Sequence, residues 1–211
     1  MKVTVIDYGL GNLYSVSRAL ERCGAEVTIS SDAAEIAAAR RLVLPGVGAF
    51  EDGMRGLREH GLLDAIRAHA AADRPLLGIC LGMQMLARVS QEFGTHEGLG
   101  LIEGRVVPVP ATTTAGALQK IPHIGWSAIR PALGAQWEGT PLAGVHPGTA
   151  VYLVHSFHVV ATRPGDMLAV CDYGGHEVTA AIRSGHVTGC QFHPEKSGEA
   201  GLGVLRSFLE Q

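Results

Sequence analysis

The sequence predicts an α/β fold: a central, mixed and mostly parallel sheet flanked by helices, with a smaller antiparallel sheet from the second half. Three observations carry this. Short apolar runs in the first half alternate with helical spacing, the pattern of parallel strands buried on both faces and joined by helical crossovers. From about residue 98 the runs alternate apolar with polar between Gly, Pro and Asp turns, as antiparallel or mixed strands do. Finally, 46% of the 211 residues are apolar against 18% charged, enough to bury one full core, so residues 1–211 read as a single domain.

VTVID (3–7) is the first strand, and a helix follows from about Asn12. EVTIS (26–30) is the second, followed by a short Ala-rich helix. RLVLPG (41–46) and RPLLGIC (74–80) are two more, each ending in a glycine turn before helical spacing resumes, and MQMLARV (83–89) is expected to continue as helix. Further strands are expected in GRVVPV (104–109), AVYLV (150–154), DMLAVC (166–171), EVTAAIR (177–183) and HVTGCQF (186–192). A last helix, about 199–209, carries Leu202, Leu205, Phe208 and Leu209 at core-facing spacing. PATTTAGALQK (110–120) has no periodicity and is expected to be a mobile, solvated loop.

Bulk properties exclude several functions. A net charge of −3 without a Lys/Arg cluster gives no electrostatic basis for nucleic acid or an anionic membrane as partner. The chain enters a strand directly, with no secretion-signal pattern, and no apolar run approaches the roughly 20 residues that span a bilayer. A soluble, cytoplasmic protein is expected. Cys23, Cys80, Cys171 and Cys190 are widely spaced and form no CxxC pair, so neither a zinc site nor a disulfide framework is indicated. His155 and His158 lack a third ligand nearby, and no metal is expected. Gly9 and Gly11 lack the third glycine of the dinucleotide fingerprint, and no cofactor is expected.

The sharpest chemical signal is GICLG (78–82), an apolar strand ending on Gly-x-Cys-x-Gly before a helix-compatible run. This is the pattern of a nucleophile elbow, whose tight turn leaves no room for flanking side chains. Free N–H groups and the dipole at a helix start favour a thiolate there. A buried, inert cysteine at a strand end has the same local appearance. A thiol nucleophile needs a base, and CQFHPEKS (190–197) offers His193, with Glu195 two residues on. Pro194 holds His193 extended, and residues i and i+2 of an extended chain project to one side, so the carboxylate can orient the imidazole. VLPGVGAF (43–50) ends a strand in Gly46 and Gly48, which leave backbone N–H groups unshielded. Opposite the N–H of Leu81, this segment could form an oxyanion hole; in isolation it is simply a turn. Gln84, four residues after Cys80, faces the same pocket if a helix begins at the elbow.

Chain order separates the elbow families. The α/β-hydrolase order is nucleophile, acid, His; here it is Cys80, His193, Glu195. That order, with the elbow and the PGVG segment, resembles the triad (class I) glutamine amidotransferases over nearly the whole chain. Within them, DYGLGNLYSV (7–16), LPGVGAFEDGM (44–54), GICLGMQML (78–86), IPHIGWS (121–127), YLVHSFHV (152–159) and QFHPEKSG (191–198) look like the glutaminase subunits of imidazole glycerol phosphate synthases. Ser127 and Phe157 stand where that group usually has Asn and Tyr.

The resemblance implies a flavodoxin-like class I amidotransferase fold. It implies Cys80 as nucleophile toward the glutamine carboxamide, His193 as acid and base, and Glu195 as its stabiliser. The oxyanion would rest on the N–H groups of Val47 and Leu81, and Gln84 and the segment His155, Ser156, Phe157 would hold the substrate. Asn12, Trp126 and Lys196 would lie near a barrel-fold cyclase that consumes the ammonia to make imidazole glycerol phosphate and AICAR. The glycines flanking Val47 suggest a segment that rotates when this partner is liganded. Two other readings stay open at this point: a glutaminase serving another pathway, and a non-catalytic module that kept the fold.

Overall fold

The computed structural model describes residues Met1 to Gln211. The first half contains β1 (Lys2–Ile6), α1 (Leu13–Arg22), β2 (Glu26–Ser30), α2 (Ala33–Ala38), β3 (Leu42–Leu44), α3 (Phe50–Glu59), α4 (Leu63–Ala71), β4 (Leu76–Ile79) and α5 (Leu81–Met85). There follow β5 (Ala87–Ser90), β6 (His96–Glu97), β7 (Ile102–Pro108), β8 (His123–Pro131), β9 (Ala150–His155), β10 (Phe157–Ala161), β11 (Met167–Tyr173), β12 (His176–Ser184), β13 (Val187–Cys190) and α6 (Gly198–Leu209). No helix is long and apolar enough to cross a membrane.

Nine strands form the main sheet in the order β2-β1-β3-β4-β13-β12-β11-β8-β9. The half from β2 to β13 is parallel. Beyond β13 the sheet is antiparallel, because hairpins replace helical crossovers. The β11–β12 turn shows why: Gly174 and Gly175 take φ values of 63° and 83°, which a two-residue hairpin of matching twist requires and only glycine adopts freely. The smaller sheet, β10-β7-β5-β6, has antiparallel outer pairs around one parallel pair, β5 with β7.

Side-chain alternation along the parallel strands divides the core between the two faces. Val3 and Val5 of β1, Val43 of β3 and Leu77 and Ile79 of β4 join α1 and α6 on one face, where Leu202, Leu205, Phe208 and Leu209 are all buried. Ile6, Leu42, Leu44 and Leu76 meet α2, α3 and α4 on the other through Ile36, Phe50, Leu57 and Ile66. β4 is thereby fixed at the centre, with β13 beside it in the register Cys190 to Ile79.

One expectation is corrected. The helix after the elbow ends at Met85, and Ala87–Ser90 is a strand. The carbonyls of Met85, Leu86 and Ala87, which would extend the helix, accept instead from the N–H groups of Leu99, Leu101, Ile102 and Gly100. The 110–120 segment is a largely exposed loop, as expected, with local structure of its own. It closes on itself through Thr113 N–H to the Ala117 carbonyl and Gln119 N–H to the Ala111 carbonyl, and is clamped to the β11–β12 turn by Thr114 N–H to the Gly174 carbonyl.

Candidate active site

Cys80 stands between β4 and α5 with φ 55° and ψ −110°, a left-handed backbone that costs a non-glycine residue about 1–3 kcal/mol. The surrounding packing enforces it. A Cβ on Gly78 would lie 2.7 Å from the Gly82 carbonyl oxygen, and one on Gly82 would fall inside the envelope of the Leu44 carbonyl oxygen. Both flanking glycines are therefore required by close approach. The Cys80 N–H donates to the Cys190 carbonyl at 2.8 Å, pinning the turn to β13. Since α5 has only five residues, what it offers the elbow is free N–H groups rather than a long dipole.

His193 follows β13, with φ −98° and ψ 99°, extended as expected before a proline. Glu195 is reached differently from the expected strand geometry: Pro194–Lys196 is a 3-10 turn, closed by Lys196 N–H and Ser197 Oγ–H on the His193 carbonyl. The turn brings Glu195 Oε1 to 2.8 Å from His193 Nδ1, with both side chains almost completely buried. A carboxylate only accepts, so Nδ1 carries the hydrogen and Nε2 is left for chemistry. Nε2 is buried without a conventional hydrogen bond, and its neighbour is the Cys80 thiol. Burial alone would lower the His193 pKa, but interactions with Cys80 and Glu195 outweigh it and raise it to about 9.

A cavity of about 360 Å³ opens onto this pair. Val47, Gly48 and Leu81 line it on one side; Gln84, His155, Ser156 and Phe157 line the other. Gly46 lies just behind, where a Cβ would come within 2.6 Å of Tyr8 Oη and 2.9 Å of Leu81 Cβ, so the PGVG segment is pressed against the elbow. Tyr8 Oη–H fastens that segment by donating to the Pro45 carbonyl at 2.8 Å. Val47 N–H makes no hydrogen bond within the protein.

The Phe157 carbonyl organises the far wall. It accepts from His155 Nδ1–H at 2.8 Å and from Gln84 Nε2–H at 3.0 Å. With Nδ1 protonated, neutral His155 accepts at Nε2 from His123 Nδ1–H, whose own Nε2 accepts from Ser127 Oγ–H. Burial, with the histidines around it, holds His155 near pKa 4, so it stays neutral. His158 accepts from Thr179 N–H at Nδ1 and is likewise held near 4 by burial. Ser156 N–H has no partner within the protein and is the free donor of this segment.

A model of class I glutamine amidotransferases matches residues 4–211. The chain is 49% identical over 209 residues to imidazole glycerol phosphate synthase subunit HisH 1 of Legionella pneumophila (strain Lens), spanning 99% of this chain and 98% of the relative. The chain belongs to the class I glutamine amidotransferases, in the HisH family. A second relative, subunit HisH of Geobacillus thermodenitrificans, is 48% identical over 98% of this chain and 94% of its own length. Among solved structures, PurLQS from Thermotoga maritima superposes with a TM-score of 0.75 at 21% identity, covering 99% and 97% of the two chains. A glutamine amidotransferase structure superposes at 0.71, also at 21% identity, over 98% and 97%. These two show the shared fold.

In this HisH-family chain two of the three residues expected near a partner flank one aromatic ring. Trp126 is 58% exposed on β8, edge-on to Tyr152 at 6.1 Å, and the Lys196 ammonium lies 5.9 Å from the same ring. Asn12 caps α1, accepting from Ser15 N–H at 3.4 Å. Two cavity-side groups were not picked out in the sequence. Glu92 is buried in the cavity wall, with one oxygen accepting from Phe50 N–H at 2.7 Å. Gln191 is fully buried beside Cys80. Gln191 had a signal: it is two residues before His193, on the same side of an extended chain.

Proposed function

We propose that this chain is the glutaminase subunit of imidazole glycerol phosphate synthase, acting in the cytoplasm as one domain paired with a barrel-fold cyclase in histidine biosynthesis. It hydrolyses glutamine to glutamate and ammonia, and the cyclase uses the ammonia to form imidazole glycerol phosphate and AICAR. The observation that carries the chemistry is the convergence of a strained Cys80 elbow and a buried His193–Glu195 pair on one cavity.

The cavity chemistry suits an amino acid. Glu92 is a carboxylate counter-charge for the α-ammonium, and Ser156 N–H a donor for the α-carboxylate. The carboxamide then faces Cys80. With its proton passed to His193 Nε2, the Cys80 thiolate forms a bond to the carboxamide carbon, and the oxygen, now negative, is held by Val47 and Leu81 N–H groups, each worth roughly 100- to 1,000-fold in rate. His193, protonated at neutral pH, gives its Nε2 proton to the departing nitrogen, and the C–N bond breaks to release ammonia. Water, losing a proton to His193, attacks the thioester, the C–S bond breaks, and glutamate leaves. Glu195 stabilises the imidazolium throughout.

Gly48 at φ 100° and the unbonded Val47 N–H support a PGVG segment that changes conformation on assembly. Trp126, Tyr152 and Lys196 offer the cyclase an aromatic and cationic contact. The test is glutamate release by the chain alone, with its cyclase, and with cyclase plus nucleotide ligand. Full activity is expected only in the liganded complex. Equal rates in all three would refute gating, and no release in any would refute the glutaminase assignment.

A further inference from the structure

Gln191 directly follows β13, whose register with β4 places it against the elbow: Cys190 pairs with Ile79, and Cys80 N–H donates to the Cys190 carbonyl. Its side chain is fully buried, so its carboxamide must find partners inside the protein. They are Gln84 and Cys80. Gln84 Nε2 lies 3.0 Å from Gln191 Oε1 and 3.0 Å from the Phe157 carbonyl; Gln191 Nε2 lies 3.8 Å from Cys80 Sγ.

The direction of this chain is fixed by its end. A backbone carbonyl only accepts, so the group of Gln84 facing Phe157 must be its NH2. The second hydrogen of that NH2 goes to Gln191, which must present its oxygen. Gln191 is then left with its own NH2 toward sulfur. Gln84 Oε1 receives no hydrogen bond from the protein and remains an acceptor at the cavity.

We propose that Gln191 is a positioning residue of the glutaminase reaction, a fixed N–H donor to the Cys80 sulfur whose orientation is locked through Gln84 to the substrate-holding Phe157 carbonyl. This rests on Cys80 being the nucleophile. A donor to a developing thiolate strengthens as the sulfur becomes negative, since hydrogen bonds to charged groups are the stronger class. It also restrains Sγ between the imidazole and the substrate carbon. The chain further gives Gln84 two tasks: one end locks the donor, the other meets substrate.

The experiment compares the parent chain with Gln191→Met and Gln191→Glu, each assembled with its cyclase. Met keeps the volume without a donor; Glu keeps the acceptor for Gln84 but, ionised, cannot donate to sulfur. The readouts are the rate and pH profile of Cys80 alkylation by iodoacetamide, and kcat and KM for glutamine. We expect alkylation at neutral pH to slow by roughly tenfold in both variants, with the profile displaced to higher pH. We also expect kcat to fall more than KM rises. Unchanged alkylation profiles in folded variants would overturn the proposal and leave Gln191 a packing residue. If the parent itself neither alkylates at Cys80 nor hydrolyses glutamine, the nucleophile assignment fails instead. Should the variants not fold, the parent suffices: the Gln191 side-chain 15N–1H resonances must shift with the same pH midpoint as Cys80 alkylation, and resonances indifferent to it contradict the proposal.

Discussion

Cys80 and Cys190 are buried cysteines at the carboxyl ends of adjacent parallel strands, joined by the hydrogen bond from Cys80 N–H to the Cys190 carbonyl. Cys190 stays in regular strand geometry, and burial pushes its thiol up to about 12. Cys80 turns to positive φ, lines the cavity and has His193 and Gln191 beside it. Residue type, depth and strand position are nearly matched between them. What separates them is backbone: Cys190 still lies within β13, whereas Gly78 and Gly82 allow the chain to fold sharply at Cys80 from β4 into α5. The reactivity proposed for Cys80 therefore rests on the turn and its neighbours, because a buried thiol alone is common to both.

Cys80→Ala should reduce glutamine-dependent synthesis by a factor on the order of 10⁴ or more, while synthesis from added ammonium salts persists at the cyclase. Cys190→Ala should retain glutamine hydrolysis and lose about 1 kcal/mol of stability. Steady-state rates with each nitrogen source, alongside denaturant melts, test both.

Glu195→Gln keeps the shape of the acid and removes its charge. Hydrolysis should fall roughly 100-fold or more, and the pH–rate profile should move to lower pH because His193 loses a partner that raises its pKa. A profile that stays in place would show that Glu195 acts only by packing. At the elbow, Gly82→Ala forces a methyl into the Leu44 carbonyl and should cost about 3 kcal/mol or more. Gly203 in α6 has nothing within 4 Å of its would-be Cβ, and Gly203→Ala should be neutral or up to about 1 kcal/mol stabilising. Equilibrium unfolding separates the two.

The smallest effect concerns the histidines behind the cavity. His155 and His158 are held near pKa 4, below the ordinary value of about 6.5, so unfolding takes up protons between those pH values. Their contribution to stability should therefore shrink as pH drops through that window. His193, raised to about 9, works the other way: its contribution is present below about 6.5 and is lost as pH climbs toward 9. Urea unfolding at pH 7 and pH 5 should show the acid loss, and His158→Gln should flatten it.

The parallel half of the fold was legible because each strand is a short apolar run whose own alternation and glycine turn are local facts. Cys80, His193 and Glu195 were legible for the same reason: GICLG and HPE are local motifs. The early end of α5 was not, because it depends on the N–H groups of Leu99 to Ile102, far along the chain, capturing carbonyls from the helix end. Glu92, Tyr8 and Gln191 stayed hidden likewise. Their roles arise from Phe50 N–H, the Pro45 carbonyl and the Cys80 sulfur, at separations of 42, 37 and 111 residues. The Cys190 register with Ile79 is a property of strand order, which single motifs do not carry.

Of the four cysteines, Cys80 alone is proposed as the nucleophile. The most direct measurement treats the complex of this chain and its cyclase with a glutamine-analogue electrophile and maps the adduct by peptide mass spectrometry. One adduct is expected, on Cys80, blocked by excess glutamine and accompanied by loss of glutaminase activity. An adduct on Cys23, Cys171 or Cys190 that tracks the loss of activity, or full inactivation with Cys80 unmodified, would contradict it.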